Sequence, residues 1–350
     1  MKILFVGLGG IGQRHCRNIR DKFGDIVQIL AYRVRGLTQT VSPSLSIEAG
    51  VDVNKKYNII LYNQLESALD QKPDITFITN PSSLHIPIAI KAAKSGSHLF
   101  IEKPISNNLD RIQDLISLTN KNKLIGMVGY QLRFHPGIEL INKILANKGI
   151  GKILSVHAEV GEYLPNWHKY EDYRKMYAAR KELGGGVVLS QIHEFDYLYS
   201  WFGMPHEVYA VGGHLSSLEI DTEDTAKVIM QVNYLSQSLP ISVHMDFNQQ
   251  PPSRGCKIIG EKGKIELNLI AQKVIVNCID GVTEHDFSDF ERNKMFTKEL
   301  DHFFLCIENG EQTMITIEDG VESLKIALAI KESLDSGIPV KLFENEKHVR

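Results

Sequence analysis

The stretch ILFVGLGGIGQRHCRNI, residues 3–19, decides the fold of the first half of this 350-residue chain. A short apolar run leads into three glycines in G-x-G-x-x-G spacing, and a helical segment follows. Between a strand and a helix, this spacing provides a tight turn, an approach free of side chains for a pyrophosphate, and free N–H groups at a helix N-terminus. The pattern predicts a dinucleotide-binding loop. Its predicted cofactor-binding residues are Gly7, Gly9, Gly10, Ile11 and Gly12.

Composition argues against several classes of partner. Apolar residues make up 43% of the chain, and the net charge is −3 with acids and bases interspersed. No basic patch is therefore expected to bind nucleic acid or a membrane surface, and no apolar stretch approaches the roughly 20 residues that span a bilayer. The cysteines have neither CxxC nor zinc-ligand spacing, so we expect free thiols, no metal and a cytoplasmic location. A small molecule is the expected partner.

The two halves of the chain have different patterns of apolar and polar residues. Residues 1–122 alternate short β-branched runs with helical segments, which is typical of a parallel sheet covered by helices. Residues 123–350 begin with a candidate strand at 123–131 and a helix at 135–147, and then alternate apolar and polar residues, as in PISVHMDFN at 240–248. The sequence predicts an α/β protein, with an N-terminal Rossmann domain and a C-terminal α+β domain that holds a large, mainly antiparallel open sheet.

The end of the second predicted strand bears on the type of cofactor. Arg33 and Arg35 of AYRVRG stand about 20 residues after the glycines, where an acidic residue would accept the ribose 2′-OH of NAD. A guanidinium at Arg33 suits the 2′-phosphate of NADP through charge-assisted hydrogen bonds. The alternative is that both arginines only solvate a strand end. The sequence therefore favours NADP over NAD.

Two further strand ends, in ITNPSSLH (78–85) and LFIEKP (99–104), carry polar side chains. Ligands of open α/β sheets bind outside the carboxyl ends of the strands. A lysine there, beside a nicotinamide cation, would have a lowered pKa; the alternative is an exposed lysine at a strand end. The side chains expected near the nicotinamide are those of Asn80, Pro81, His85, Glu102 and Lys103.

Three consecutive glycines precede an apolar run with one histidine, ELGGGVVLSQIHEFDYL at 182–198. Because glycine destabilises a helix interior by roughly 1 kcal/mol relative to alanine, a helix is expected to begin near Gly186. His193 lies about 100° from the predicted buried stripe. It is either a structural histidine or a residue that acts on a ligand, with Asp196 or Tyr197 orienting its ring. In the second case the glycines let the chain pass beside the cofactor. The predicted stripe consists of Val188, Ile192, Phe195, Tyr199 and Phe202.

Together, GLGGIG, TNPSSLH, EKP, and GGG followed by H-E-F-D resemble the Gfo/Idh/MocA family of sugar and polyol oxidoreductases over essentially the whole chain. The resemblance implies a Rossmann domain, a second domain with a large open sheet, bound NAD or NADP, and hydride transfer at a sugar carbon. It implies that Lys103 is the active-site lysine and His193 the catalytic histidine, and that Asn80 and His85 contact the nicotinamide half of the cofactor. Many members have an aspartate four residues before the histidine. This chain has Leu189 there, so proton transfer would depend on His193 with Lys103.

Two segments are expected to form the substrate side, GYQLRFHPGI at 129–138 and NWHKYEDYRKMYAARKELGGG at 166–186. Aromatic rings and forked cations suit a sugar joined to a phosphate or carboxylate, although the same spacing also fits a solvated surface helix. The lead-in to the glycines resembles enzymes of activated-sugar and surface-glycan biosynthesis. The predicted substrate-binding residues are Arg133, Trp167, Tyr173, Arg174, Tyr177 and Arg180.

These motifs lead to one functional hypothesis and two rivals. The expected protein is an NAD(P)-dependent oxidoreductase acting on a sugar or nucleotide sugar, in which Lys103 polarises the carbonyl oxygen and His193 moves the proton. One rival is an NAD-dependent glycosidase of the same fold, whose cofactor is regenerated in each turnover. The other is a non-catalytic NADP-binding sensor. An exposed sheet face favours a homodimer or homotetramer.

Overall fold

The computed structural model describes residues 1–36 and 38–342. The strands of its first half are β1 (Lys2–Val6), β2 (Gln28–Tyr32), β3 (Gln39–Val41), β4 (Ile47–Asp52), β5 (Ile59–Tyr62), β6 (Ile75–Ile78), β7 (His98–Glu102) and β8 (Gly126–Gly129). Six of them form a parallel sheet in the order β5-β2-β1-β6-β7-β8. The order reverses between β1 and β6, where open α/β sheets form a ligand-binding crevice at the carboxyl ends of the strands.

Helices cover both faces of this sheet, which is why its central strands are almost continuously apolar and buried. The helices are α1 (Gly10–Phe23), α2 (Val53–Lys56), α3 (Leu65–Leu69), α4 (His85–Lys94) and α5 (Ile112–Lys121). The candidate strand at 123–131 is β8, and it pairs with β7 in this first sheet. The parallel sheet therefore continues beyond residue 122. The division of the chain at residues 122 and 123 stays a prediction.

A second sheet of nine strands occupies the other half of the molecule. Its strands are β9 (Ile153–Gly161), β10 (Pro205–Gly213), β11 (Thr225–Tyr234), β12 (Gln237–Asp246), β13 (Ser253–Gly260), β14 (Gly263–Asn268), β15 (Lys273–Cys278), β16 (Gly281–Asp286) and β17 (Val340–Lys341). The order is β16-β15-β14-β13-β9-β12-β11-β10-β17, and all neighbours are antiparallel except β9 and β12. One face is buried and the other is largely exposed, as the two-residue alternation predicted. The α/β fold class with a Rossmann domain and a mainly antiparallel second sheet is confirmed.

Five more helices pack between and beside the sheets: α6 (Pro136–Ala146), α7 (Val187–Ser190), α8 (His193–Phe202), α9 (Asn293–Asn309) and α10 (Ile317–Ser336). A capping box of Thr316 and Asp319 starts α10, and Gly337 ends it in the left-handed conformation. α9 packs on α1, and α10 contacts both β8 and β10, so these two helices join the halves of the molecule. In the described ranges, no helix is long and apolar enough to cross a membrane.

The helix that carries His193 differs from its prediction. Instead of one helix from Gly186, the chain forms the short α7, a break at Gln191 and Ile192, and then α8. The single buried stripe is wrong as well, because eight of the ten residues of α8 are buried, including Glu194 and Asp196, which lie off the predicted stripe. α8 is enclosed from several sides, by β9, β11, α6 and α10. Helical spacing alone could not reveal this enclosure, because it depends on elements distant in sequence.

Candidate active site

A cavity of about 1340 Å³ lies at the carboxyl ends of the parallel strands. The glycine loop after β1, the residues that follow β2, β6 and β7, and the segment from Ser190 to His193 all contribute to its lining. Residues between Glu162 and Tyr177 line it from the second half of the chain. The four motifs that were picked out from the sequence therefore meet in one cavity.

The glycine loop has the shape that a dinucleotide requires. A β-carbon on Gly7, whose φ is +98°, would lie 2.8 Å from the backbone nitrogen of Asn80, and one on Gly12 would lie 2.6 Å from the carbonyl oxygen of Gly7. A β-carbon on Gly9 would meet nothing within 4 Å, so the chain leaves open space in front of the N-terminus of α1. The loop with this helix N-terminus fits a pyrophosphate. Gly7, Gly9, Gly10 and Ile11 line the cavity, whereas Gly12 packs behind them.

Replacing Gly12 by alanine should weaken the binding of NADPH at least about tenfold, because the backbone of the loop would have to shift. Gly9→Ala is the matched comparison, because its methyl group enters open space. The melting temperature of Gly9→Ala should therefore equal that of the unchanged protein, although the methyl group still interferes with NADPH binding. Fluorescence titration with NADPH and a thermal melt measure the two effects. A Gly12→Ala protein with normal stability and normal affinity would contradict this assignment.

Lys103 follows β7 and is held by a main-chain group of the second half of the chain. Its Nζ donates a hydrogen bond of 2.6 Å to the carbonyl oxygen of Ser190, the last residue of α7. An ammonium has three donors, so this bond leaves two for a ligand. Burial lowers the pKa of Lys103 to about 8, against an opposing effect of the nearby Glu102 carboxylate. Lys103 is thus an accessible but largely desolvated cation, and the alternative of an exposed lysine at a strand end is wrong.

His193 is the first residue of α8 and lines the same cavity. Burial, followed by the charge of Lys103, lowers the pKa of His193 well below its usual value, so the ring is neutral at pH 7. Its Nε2 lies 3.2 Å from Nε2 of Gln131, while Nδ1 is buried and has no partner in the described part of the chain. Asp196 and Tyr197 do not orient this ring as expected. Asp196 instead pairs with Arg133.

The residues after β6 hold this side of the cavity in place. His85 lies 2.7 Å from the carbonyl oxygen of Asn80 and 2.9 Å from that of Pro104, through its two ring nitrogens. Since a neutral imidazole has only one N–H, it donates to one of the two carbonyls at a time. Both amide atoms of Asn80 are buried in the cavity wall without a partner among the described residues. The Asn80 amide is therefore available to a ligand, and His85 and Pro81 line the cavity beside it.

Glu102 lines the cavity but is engaged by the protein. Its Oε1 lies 2.7 Å from Nε2 of the fully buried His15 on α1, and its Oε2 accepts a hydrogen bond from the backbone nitrogen of Lys103. This pair ties the start of α1 to the strand end that carries the lysine. Glu102 therefore acts on the site by positioning, and its charge favours the protonated form of Lys103.

Arg33 lies at the opposite end of the cavity from His193, directly after β2. Its Nη2 donates a hydrogen bond of 3.1 Å to Oδ1 of Asn54, and its buried Nε has no partner within the described ranges. Of the carboxylates that line the cavity, Glu66 pairs with Lys91 and Glu171 with His168. The Arg33 guanidinium therefore has N–H donors available to a ligand.

The six residues predicted to bind substrate separate into two groups. Trp167 and Tyr177 line the cavity, and the indole N–H of Trp167 is buried without a partner in the described part of the chain. The structure does not bring the other four to the cavity. Arg133 forms a buried bidentate salt bridge with Asp196, at 2.7 and 2.8 Å.

Arg174, Arg180 and Tyr173 also lie away from the cavity. Arg174 pairs with Asp172 and Glu219, the hydroxyl of Tyr173 accepts a hydrogen bond from the backbone of Glu219, and Arg180 is near Glu182 and Asp221. The segment forms short 3₁₀ turns rather than an amphipathic helix. The guanidinium groups of Arg174 and Arg180 are directed to neighbouring carboxylates, whereas Lys175 lines the cavity.

The three glycines before α7 serve close packing within the protein. β-Carbons on them would collide with the side chain of Ser82, the carbonyls of Tyr177 and Ala178, and the side chain of Glu223, respectively. Ser82 belongs to the loop after β6, and its hydroxyl lies 3.3 Å from the carbonyl oxygen of Leu183. The glycines were expected to make room for the cofactor. In the structure they make room for protein atoms instead, and Gly184 packs on Ser82 of the first half of the chain.

Sequence reasoning missed several lining residues. Gln191 has both amide atoms buried without a partner in the described ranges, and Gln131 reaches His193. The hydroxyl of Tyr170 lies over the glycine loop, 3.1 Å from where a β-carbon on Gly10 would be, and burial raises its pKa to about 12. Gln131 stood within a segment already singled out. Nothing in local spacing marks Tyr170, because the approach to Gly10 spans 160 positions of the chain.

Three arginines were also missed: Arg14 on α1, Arg254 on β13, and Arg292 just before α9. Arg254 forms a bidentate salt bridge of 2.8 and 2.9 Å with the fully buried Glu194. Their side chains meet in the cavity although the residues lie on three separate elements. No local pattern in the sequence connects them.

Comparison with known proteins agrees with this architecture. Residues 1–130 match the family model described as an oxidoreductase family NAD-binding Rossmann fold, and residues 142–342 match the C-terminal alpha/beta domain of the same family. The chain is 24% identical to scyllo-inositol 2-dehydrogenase (NAD(+)) of Bacillus subtilis, over 96% of this chain and 95% of the relative. It is 28% identical to 2,7-anhydro-N-acetylneuraminate hydratase of Escherichia coli, over 76% of this chain and 72% of the relative.

A solved structure has the same fold over nearly its whole length. The WlbA dehydrogenase from Bordetella pertussis, in complex with NADH and UDP-GlcNAcA, superposes with a TM-score of 0.79 at 21% identity and covers 99% of both chains. Together, the two family models span both halves of the molecule and include every motif that lines the cavity. The chain therefore belongs to the Gfo/Idh/MocA family of NAD(P)-dependent oxidoreductases.

Proposed function

We propose that the protein interconverts a hydroxyl group and a ketone on a sugar or nucleotide sugar, with NADP(H) preferred over NAD(H). The observation that carries the proposal is the meeting of Lys103 and His193 in the cavity that the glycine loop also lines. The bound dinucleotide would supply the donor or acceptor of hydride. The glycine loop, Asn80 and Arg33 would hold it.

The two proposed catalytic residues have opposite protonation at pH 7. With a pKa of about 8, Lys103 is mostly protonated and can donate a hydrogen bond or a proton to a carbonyl oxygen. His193 is neutral and can accept a proton from a hydroxyl. This separation suits a reversible reaction: in oxidation His193 takes the hydroxyl proton while Lys103 hydrogen-bonds the same oxygen, and in reduction Lys103 polarises the carbonyl while protonated His193 returns the proton.

Gln131 controls which nitrogen of His193 is available. An amide nitrogen only donates, so in the contact with Nε2 of Gln131 the His193 Nε2 is the acceptor and the ring proton lies on Nδ1. A substrate hydroxyl must replace this amide before it can donate to Nε2. Gln131 would then be free to bind a neighbouring oxygen of the sugar. We propose that it keeps the ring in the accepting tautomer until the substrate binds.

The decisive experiment combines the purified protein, NADPH or NADP, and a panel of inositols, free sugars and nucleotide sugars. Nicotinamide absorbance and substrate consumption are measured together. Oxidation or reduction of one nicotinamide for each sugar consumed supports net hydride transfer. Consumption without net absorbance change would favour a redox-neutral reaction such as the glycosidase, a second candidate made relevant by the similarity to a hydratase. Neither change with any member of the panel, together with normal cofactor binding, would favour the sensor.

Arg33→Ser should weaken NADPH binding by about 10- to 100-fold and leave NADH binding nearly unchanged, because a charge-assisted pair with the 2′-phosphate is lost. Arg35→Ser is the matched control, since the Arg35 guanidinium is directed to Glu171 at 3.9 Å. Fluorescence titration with the two nucleotides measures both affinities. Equal affinity of the unchanged protein for NADPH and NADH would defeat the preference for NADP.

We also propose that the protein is a cytoplasmic homodimer or homotetramer that acts in surface-glycan sugar biosynthesis. The exposed face of the nine-stranded sheet supports an assembly, since it displays apolar side chains such as Ile229, 58% exposed, and Val211, 51% exposed. The four cysteines are free thiols, in keeping with a reducing compartment. Sedimentation analysis of the purified protein tests the oligomeric state.

A further inference from the structure

The part of the cavity next to His193 is rich in positive charge. Arg14, Arg254 and Arg292 line it, from α1, β13 and the residue preceding α9. The charges of Arg254 and Arg292 both contribute to the lowered pKa of His193, after the larger effects of burial and Lys103. These guanidinium groups therefore lie near the proposed reaction centre, whereas Arg33 is at the other end of the cavity.

Protein carboxylates neutralise only part of this charge. Arg254 is bound by Glu194 through two hydrogen bonds, and Glu162 lies 4.0 Å from its Nη1. In the described ranges, neither Arg14 nor Arg292 forms an ion pair with a carboxylate. Three guanidinium groups and the Lys103 ammonium thus face three carboxylates, those of Glu102, Glu162 and Glu194, which leaves one positive charge in excess.

Arg14 is held rigidly in this arrangement. One of its nitrogens donates a hydrogen bond of 3.0 Å to Oδ1 of Asn293, and its guanidinium carbon lies 4.8 Å from the centre of the Phe296 ring. Burial and, after it, the charge of Arg292 lower the pKa of Arg14 to about 10. The repulsion between Arg14 and Arg292 is unfavourable unless an anion lies between or beside them.

Arg292 is the most accessible of the three. It lines the cavity and is exposed to solvent within it, and no hydrogen bond or ion pair of its side chain to another described residue is present. A guanidinium carries five donors in a planar fork, which matches the paired oxygens of a carboxylate or phosphate. Its donors are thus available to a molecule that enters the cavity.

We propose that Arg292, with Arg14 and Arg254 beside it, binds an anionic group of the substrate, a carboxylate or a phosphate on the sugar. This inference rests on the proposed function, since it names the class of sugar that the same site selects. A neutral polyol leaves the guanidinium groups without a counter-ion, so it binds more weakly than an acidic analogue of equal size. The Arg292 side chain is then a determinant of specificity and takes no part in proton transfer.

The test uses protein saturated with NADPH, so that added anions do not bind at the glycine loop. Calorimetric titrations with D-glucuronate, D-glucose and inorganic phosphate compare the unchanged protein with Arg292→Ala. We expect D-glucuronate to bind more tightly than D-glucose, and its Kd to rise about 10- to 100-fold in Arg292→Ala, as for loss of a charged hydrogen-bonded pair. The Kd for D-glucose should not change.

Lys294→Ala is the matched control, because it removes one positive charge from an exposed position two residues away, in the first turn of α9 and outside the cavity. It should bind D-glucuronate as the unchanged protein does. Arg292→Lys should recover part of the affinity, since it restores the charge without the fork. Stronger binding of D-glucuronate than phosphate identifies a carboxylate site, and the reverse identifies a phosphate site; both support the proposal.

Three results would overturn the proposal: D-glucuronate binding no tighter than D-glucose in a protein that also does not bind phosphate, no binding of either anion, or an unaltered Kd for the bound anion in Arg292→Ala. These titrations do not require turnover. If anions bind through Arg292 but no sugar exchanges hydride with the nicotinamide, the anion site stands and the proposed dehydrogenase activity fails. If hydride transfer occurs only with neutral sugars, the proposed dehydrogenase activity stands and the anion site fails.

Discussion

Lys103→Met should lower kcat by about 10²- to 10³-fold, as expected for the loss of a donor that stabilises negative charge on the reacting oxygen. The Nζ of Lys103 is held on the carbonyl oxygen of Ser190 at the wall of the cavity, and methionine keeps the length of the side chain without its charge or donors. The assay uses the sugar of the panel that has the highest turnover, and kcat is measured from the change in nicotinamide absorbance. NADPH affinity should change little, because the glycine loop is untouched.

Lys121→Met is the matched control, since Lys121 is exposed at the end of α5, away from the cavity. The pH profile provides a second readout. With a pKa of about 8, the ammonium is intact at lower pH and lost as the pH rises, so sugar reduction should slow above about pH 8. A Lys103→Met enzyme with nearly normal kcat, or reduction that accelerates through this range, would remove the lysine from the mechanism.

His193→Asn should also lower kcat by about 10²- to 10⁴-fold in the direction of sugar oxidation, because no neutral base remains to accept the hydroxyl proton. The ring is neutral well below pH 7, so the unchanged enzyme should show no inflection from His193 between pH 7 and the titration of Lys103. KM should change less than kcat if the residue acts mainly in proton transfer.

His285→Asn is the control for this variant, because His285 lies on the edge strand β16 outside the cavity. The decisive comparison is between Gln131→Ala and Gln131→Glu in the same assay. Removing the amide should release the tautomer constraint and affect the pH profile more than NADPH binding. A His193→Asn enzyme that oxidises sugar at the normal rate would show that another group accepts the proton.

The cofactor half of the site could be predicted because its requirements are local. Gly7, Gly9 and Gly12 lie within six positions: Gly7 and Gly12 allow close backbone approaches, and Gly9 leaves the space for a pyrophosphate open. Lys103 could be placed for a similar reason: parallel strands end at one edge, so a residue after β7 must lie near the loop after β1. Alternation of apolar and polar residues likewise predicted the second sheet.

The substrate half could not be predicted in the same way, because its contacts join distant parts of the chain. Arg14 and Asn293 are hydrogen-bonded although 279 positions separate them. Arg133 looked available for a ligand, and only the fold reveals that α8 brings Asp196 against it. The β3–β4 hairpin was not predicted either, because β3 has only three residues, which are too few to show a pattern in the sequence.

The end of α7 at Ser190 has an evolutionary consequence. The group that holds Lys103 there is a peptide oxygen, which every amino acid possesses, so exchanging the side chain at this position does not by itself release the amine. Neighbouring side chains can therefore diversify toward new sugars while the amine keeps its place. Selection for a different substrate can act on the rim of the cavity without first having to rebuild its chemistry.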